Sequence, residues 1–370
     1  MKILQMIYSL SSGGAERFIT DLTNELVKKE DCDITLLILK SENNPQNLFY
    51  KKELSDKIKF DSLGIDHINI SILFKLYKYV KNAHPDIVHI NLSPIILFCL
   101  LAVLIMRKTV FIETLHNEVA KINNSNKIYY VLKKFVYRLK NVKVCTISDK
   151  NAREFQRVYG QKCDALIYNG RKKIAPSVDC DCVKNEIENY KWNKETLVIT
   201  HIARCAPQKN QDLLIEGFNE LLKNKQNVIL LIIGNGFDSP RGELLKNKAQ
   251  KGIFFLGEKH NVQDYLKYSD AFCLSSLYEG MPITLIEALE YGCVPLSTPV
   301  SGITDLIIDG KNGFISKDFT LRSYVDMLND YLKNRMSVDH QSLIQLYEQK
   351  LSISACAESY YNFYKSCLHA

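Results

Sequence analysis

Glu279 and Glu287 lie on either side of a proline in the stretch Ser275-Ser276-Leu277-Tyr278-Glu279-Gly280-Met281-Pro282-Ile283-Thr284-Leu285-Ile286-Glu287-Ala288. Pro282 marks the first turn of a helix, since its fixed φ suits that position and its missing N–H costs nothing there. The free amides of such a helix start, with the positive end of the helix dipole, form an anion site suited to a diphosphate. Gly280, Met281, Pro282, Ile283 and Thr284 would surround that anion, with Gly280 letting it approach the backbone closely. A carboxylate beside phosphate is unfavourable unless it accepts hydrogen bonds, and the vicinal hydroxyls of a sugar and a ribose are fitting donors. Two acids around one anion site therefore predict a ligand with two hydroxylated rings joined by a diphosphate.

Two glutamates at this spacing are common, so the surroundings decide. With them, the stretch resembles the E-x7-E segment of retaining glycosyltransferases of the GT-B fold, specifically glycosyltransferase family 4 (glycosyl transferases group 1). The resemblance implies that Glu279 binds the transferred sugar and Glu287 the nucleotide ribose. Upstream, His201-Ile202-Ala203-Arg204-Cys205-Ala206-Pro207-Gln208-Lys209-Asn210 resembles the family's basic loop, so Arg204 and Lys209 are expected to neutralise the donor diphosphate. Arginine suits a bidentate phosphate contact and lysine a point charge. Ala203 departs from the glycine common at that place. Ile232-Ile233-Gly234-Asn235-Gly236, Phe255-Leu256-Gly257, Tyr291-Gly292-Cys293-Val294-Pro295 and Gly310-Lys311-Asn312-Gly313-Phe314 match in order, so the likeness is dense over residues 197–315. It places Gly234 at the donor and implies contacts to the base near Gly257, Glu258 and Lys259, largely through backbone.

The first half resembles the family more thinly. Ser11-Ser12-Gly13-Gly14-Ala15-Glu16-Arg17 is similar to its N-terminal glycine loop, with Gly13 and Gly14 near the donor phosphates. It is not a dinucleotide fingerprint, because G-x-G-x-x-G is absent. Leu115-His116-Asn117 ends a strand, and His116 resembles the histidine beside the transferred sugar. The expected catalytic set is thus Glu279, His116, Arg204 and Lys209. The resemblance further implies transfer from a nucleotide diphosphate sugar with retention at the anomeric carbon. No metal or other cofactor is expected, since the two cations and the helix start already neutralise the departing diphosphate. Competing readings are an epimerase or hydrolase on the same fold, and a nucleotide-sugar-binding subunit without turnover.

These loops need elements to hold them. Short apolar runs near residues 3–8, 34–39, 87–91, 110–114, 142–147, 165–168, 197–201, 228–233, 253–256, 271–274 and 294–297 read as strands, mostly separated by helical patterns. Such alternation predicts parallel sheets with crossover helices. The expected architecture is α/β, with two doubly wound Rossmann-like domains facing across a cleft: 1–172 on the acceptor side and 195–345 on the donor side. The polar stretch 173–194 reads as a linker, and 346–370 as a C-terminal segment packing back on the first domain, where Tyr360, Tyr361, Phe363 and Tyr364 would find cover.

Composition is that of a folded protein: of 370 residues, 46% are hydrophobic and 24% charged. The N-terminal apolar run is too short for a signal peptide. The longest apolar run, 95–106, is too short for the roughly 20 residues of a spanning helix and reads as a buried one. Eleven scattered cysteines without a C-x-x-C pair fit a reduced, cytoplasmic protein. The net charge of +7 is one local patch, because Ala120 to Ser148 holds seven cations and no acid. On a helix over 127–140, Ile128, Val131, Leu132, Phe135 and Leu139 share one face, expected inward. The opposite face, with Tyr130 and Tyr137 ringed by Lys127, Lys133, Lys134, Arg138 and Lys140, is expected to meet an anionic membrane surface. That would suit a lipid-linked saccharide acceptor and a peripheral place on the inner face of the cytoplasmic membrane. Nucleic acid is not expected as a partner, since no recognised module accompanies the patch.

Overall fold

A computed structural model of the chain describes residues 1–92, 94–116 and 127–369, the side chain of Lys127 excepted. The chain forms two compact units, residues 1–172 with 351–370, and residues 173–350.

The first unit is built on seven parallel strands: β1 (Lys2–Ile7), β2 (Asp33–Ile38), β3 (Lys59–Ser62), β4 (Ile87–Asn91), β5 (Val110–Leu115), β6 (Val142–Thr146) and β7 (Ala165–Leu166). Their order is β3-β2-β1-β4-β5-β6-β7. The inner strands are nearly continuous apolar runs because both faces are covered, as parallel sheets require. Side chains alternate across β1. Leu4 and Met6 join one core with Leu76, Val80 and Phe155. Ile3 and Ile7 join the other with Phe18, Leu22, Tyr360 and Tyr364. The edge strand β3, Lys-Phe-Asp-Ser, was not legible in the sequence: it alternates between exposed and half-buried and offers no apolar run. The helix Ile353–His369 belongs to this unit and packs beside the helix Gly14–Leu26. The run 95–106, expected as one buried helix, is two short ones, Ile95–Phe98 and Leu100–Ile105, and ends on exposed Leu104 and Ile105.

The second unit holds six parallel strands: β8 (Leu197–Ile202), β9 (Val228–Ile233), β10 (Ile253–Gly257), β11 (Ala271–Leu274), β12 (Val294–Ser297) and β13 (Phe314–Ile315). They run in the order β10-β9-β8-β11-β12-β13. The chain starts in the middle, at β8, builds outward through β9 and β10, then returns to β11 on the other side. This reversal makes the β8/β11 boundary the topological switch point of the sheet, where a ligand site is expected at the strand ends. β13, two residues long, is too short to leave a sequence signal.

The stretch expected as a linker is in large part structure. Cys180–Tyr190 is a helix whose Cys180, Val183 and Ile187 are buried in the second unit. Three apolar residues at that spacing suffice to bury one face, but they are too diluted by charge to stand out. Asp264 anchors the helix's approach by accepting from the Ser177 amide at 2.8 Å. Among the described residues no helix is long and apolar enough to cross a membrane.

Candidate functional site

In the second unit the strand ends place the predicted loops side by side. The Ala203 amide donates to the Ile233 carbonyl (3.0 Å), Cys205 to Asn235 (2.9 Å) and Gly234 to Gly257 (2.8 Å). The loops after β8, β9 and β10 are thereby laced in a row carrying Arg204, Gly234 and Gly257. Gly234 is needed for this closeness. Its φ is +149°, and a Cβ there would lie 2.1 Å from the Ala203 carbonyl oxygen.

On the other side of β8, the turn Pro207–Lys209 is stitched to the loop after β11. The Leu277 amide donates to the Gln208 carbonyl (2.9 Å), and the Ser275 hydroxyl to that of Lys209 (2.8 Å). This brings Lys209 and Glu279, far apart in sequence, to a contact of 2.6 Å between Nζ and Oε1. The Ser276 hydroxyl donates to the same oxygen at 2.7 Å. Glu279 is buried, and its other oxygen has no partner among the described residues. Lys209 gives Glu279 one of its three N–H groups and keeps the rest. Arg204 is exposed and makes no ion pair among the described residues. Gln211 fixes its backbone by donating to the Arg204 carbonyl at 2.9 Å.

Pro282 is the N-cap of the helix Ile283–Glu290, which has no capping side chain, so its first amides are available to an anion. Met281 is buried, Ile283 and Thr284 are half-buried, and Glu287 is buried one turn further in. Gly302 packs tightly against the Gly280 backbone. Its φ is +77°, and a Cβ there would meet the Gly280 carbonyl at 1.9 Å. The sequence reading passed over Gly302, Ser276 and His201. His201 sits in β8 with Nδ1 against the Cys273 carbonyl (2.9 Å), and burial depresses its pKa to about 4. Ser276, three residues before Glu279, is the one whose position could have marked it. At the far end of the row Glu258 is exposed, and Lys259 pairs loosely with Glu186 at 3.9 Å.

In the first unit, Gly13 caps the helix Gly14–Leu26 with an extended backbone. A carboxylate of the chain itself lies against this cap. Glu16 Oε2 is 2.3 Å from where a Gly13 Cβ would stand, and burial raises the Glu16 pKa, countered in part by hydrogen bonds to backbone and to Ser11. An arriving phosphate would compete with Glu16 for this helix start.

His116 follows β5 and is buried, its ring 5.4 Å edge-on from Phe18. Burial lowers its pKa to about 4, so it is neutral near pH 7. Its Nε2 meets Asn91 Oδ1 at 3.2 Å. The Asn91 amide donates to Gln5 Oε1 (3.2 Å), and the Gln5 amide to the Tyr364 hydroxyl (3.1 Å). With Asn91 presenting its carbonyl, Nε2 must carry the proton, leaving Nδ1 a bare acceptor. That Nδ1 is buried and has no partner among the described residues. Asn117, the next residue of the motif, lies outside the described residues.

The helix Lys127–Val136 reverses the expectation for the basic segment. Lys133 is fully buried, with Nζ 2.9 Å from Oε1 of equally buried Glu113. Tyr137, also buried, donates to Glu113 Oε2 at 2.8 Å. Tyr130 donates to the Val158 carbonyl (3.0 Å) and stacks on Tyr159. Lys134 is half-buried, while Arg138 and Lys140 are exposed. The face expected outward thus points inward, because β5 supplies a carboxylate that pairs it. The apolar face is the exposed one.

Comparison with known proteins gives these loops relatives. Residues 183–347 match the family model for glycosyl transferases group 1, and residues 12–171 that for glycosyltransferase family 4. The chain is similar to the UDP-Gal:alpha-D-GlcNAc-diphosphoundecaprenol alpha-1,3-galactosyltransferase of Escherichia coli, 25% identical over 85% of this chain and 84% of that one. It is 28% identical, over 85% of this chain and 84% of the other, to the Campylobacter jejuni GalNAc-alpha-(1->4)-GalNAc-alpha-(1->3)-diNAcBac-PP-undecaprenol alpha-1,4-N-acetyl-D-galactosaminyltransferase. In fold it is similar to a glycosyltransferase from Rickettsia africae, with a TM-score of 0.82 at 17% identity over 99% of this chain and 98% of that one. It is also similar to an Anabaena protein solved with UDP and glucose, with a TM-score of 0.78 at 17% identity over 99% and 100% of the two chains.

Proposed function

Because this chain is a GT-B glycosyltransferase of family 4, we propose that it moves a sugar from a UDP-sugar to a hydroxyl of a lipid-linked saccharide, with retention at the anomeric carbon and without a metal ion. The observation that carries the reading is the Lys209–Glu279–Ser276 cluster beside the unpaired Arg204 and an uncapped helix start. Two relatives, both named for acting on diphosphoundecaprenol-linked sugars, support a lipid-linked acceptor, and one is named for UDP-Gal as donor.

In this reading Arg204, the remaining N–H groups of Lys209 and the amides of Ile283 and Thr284 take up the charge of the departing UDP. Fixed donors of this kind do the work a divalent cation does elsewhere. Glu279, held at one oxygen by Lys209 and Ser276, offers the other to a sugar hydroxyl, and Glu287 serves the ribose. His116 offers Nδ1 to a substrate hydroxyl. The bond from the anomeric carbon to the diphosphate oxygen breaks as the acceptor oxygen bonds on the same face, and the acceptor proton passes to the leaving diphosphate. The enzyme contributes position and charge rather than a covalent intermediate. A cytoplasmic-side location follows from the donor, which is a soluble nucleotide.

The test is incubation with UDP-, GDP- and ADP-sugars and an undecaprenyl-diphosphate-linked acceptor, with proton NMR of the product's anomeric signal. UDP-sugar transfer with retention, unaffected by chelator, is expected. Glu279→Gln and Arg204→Ala should each lower turnover about a hundredfold or more, the scale of losing one charge-stabilising donor. Wild-type turnover in either, donor hydrolysis alone, or binding without transfer would overturn the reading.

A further inference from the structure

The helix Lys127–Val136 exposes a stripe that a soluble protein ordinarily hides. Ile128, Val131, Leu132 and Phe135 are 71%, 60%, 38% and 51% exposed. Their spacing of three, one and three residues puts them on one face. This orientation is locked. Rolling the helix to bury the stripe would pull Lys133 and Tyr137 off Glu113, whose side chain is fixed inside β5. A buried carboxylate stripped of its partners is strongly unfavourable. The fold therefore holds the apolar stripe outward with a buried ion pair.

Exposed cations stand at one end of the stripe. Arg138 and Lys140 are exposed just beyond the helix, and the sequence from Lys127 to Ser148 contains no acid. At that end Asn141 donates to the Val103 carbonyl at 3.0 Å, so exposed Leu104 and Ile105, followed by exposed Arg107 and Lys108, lie alongside. An apolar ridge with a cationic rim fits the boundary between anionic headgroups and acyl chains. The four exposed cations Arg107, Lys108, Arg138 and Lys140, against the one exposed acid Asp86 beside the first two, favour an anionic surface over a protein partner of mixed charge.

We propose that this ridge inserts into the anionic leaflet of a lipid bilayer and seats the first unit on it. The inference rests on the lipid-linked acceptor proposed above, and it reverses the orientation expected from the tyrosine and lysine face.

The experiment is co-flotation of the full chain with vesicles of phosphatidylcholine, with and without phosphatidylglycerol, at low and high salt. Binding is expected only to the anionic vesicles, weakening as salt screens the rim. Arg138→Ala with Lys140→Ala should lower partitioning roughly thirtyfold, at about 1 kcal/mol per cation. Val131→Ser with Phe135→Ser should abolish it, with the melting temperature unchanged since both side chains are exposed. Transfer of the sugar from a UDP-sugar to a short soluble acceptor, followed by the UDP set free, is the control and should be unaltered in both variants. Failure of the parent chain to float on anionic vesicles, equal flotation of the serine variant, or a dimer in sedimentation that the serine variant dissolves would each overturn the proposal. Loss of turnover with flotation intact would instead overturn only the functional reading.

Discussion

His116 illustrates how a single side chain acquires its chemistry from groups it does not choose. Its strand-end position is written locally, but which nitrogen bears the proton is set by Asn91, and Asn91 is set in turn by Gln5 and Tyr364. The arrangement makes His116 an acceptor at Nδ1, not a donor. Asn91→Leu should therefore lower sugar transfer about tenfold, the equivalent of about 1.4 kcal/mol. Nitrogen-15 spectra should show the Nε2-protonated form in the parent and a mixture in the variant. An Nδ1-protonated parent would refute the assignment. Glu279 carries the same lesson: its carboxylate was legible, whereas its pairing with Lys209 needed a turn and a loop to be stitched together.

At the scale of elements, glycines decide how closely the loops of the second sheet can stand. Gly234 and Gly257 both have positive φ, but only Gly234 faces a carbonyl oxygen where its Cβ would be. Gly257→Ala should then cost about 1–2 kcal/mol from backbone strain alone. Gly234→Ala adds a collision, must push the Arg204 loop aside, and should weaken UDP binding as well as stability. Calorimetric titration with UDP beside urea unfolding would separate the two, and equal UDP affinity in both variants would contradict the lacing of these loops. The sequence marked both glycines equally. The helix Cys180–Tyr190 was hidden for a different reason, since three buried positions among acids and lysines look like a solvated linker until the helix Val262–Lys267 is seen packed against it.

For the molecule as a whole, buried neutral histidines set the acid limit. Burial depresses His89 to about 3 and His116 to about 4 in the first unit, and His201 to about 4 in the second. Unfolded histidine titrates near 6.5, so between that value and about 4 the unfolded chain binds more protons and stability falls as pH falls. Each histidine should cost about 1.4 kcal/mol per pH unit over that window. The first unit, with two, should lose stability about twice as steeply as the second. Denaturant titrations followed by Trp192, which lies in the second unit, and by far-ultraviolet circular dichroism for both would measure this. A flat profile from neutral pH down to about 5 would show that these histidines are not held neutral.

The repeat of apolar runs and helical spacing was enough for two parallel sheets, and strand-end motifs were enough to place Arg204, Lys209 and Glu279 on loops and Glu287 in the helix that follows, because both signals are local. The helix Lys127–Val136 marks where that stops. Its amphipathic pattern states that two faces exist, and the ordinary cost of burying charge assigns the lysines to water. Only the tertiary structure supplies Glu113, twenty residues upstream of Lys133 on β5, whose paired carboxylate reverses the assignment and turns the apolar face outward. Periodicity fixes which residues travel together; the partner across the fold decides which way they point.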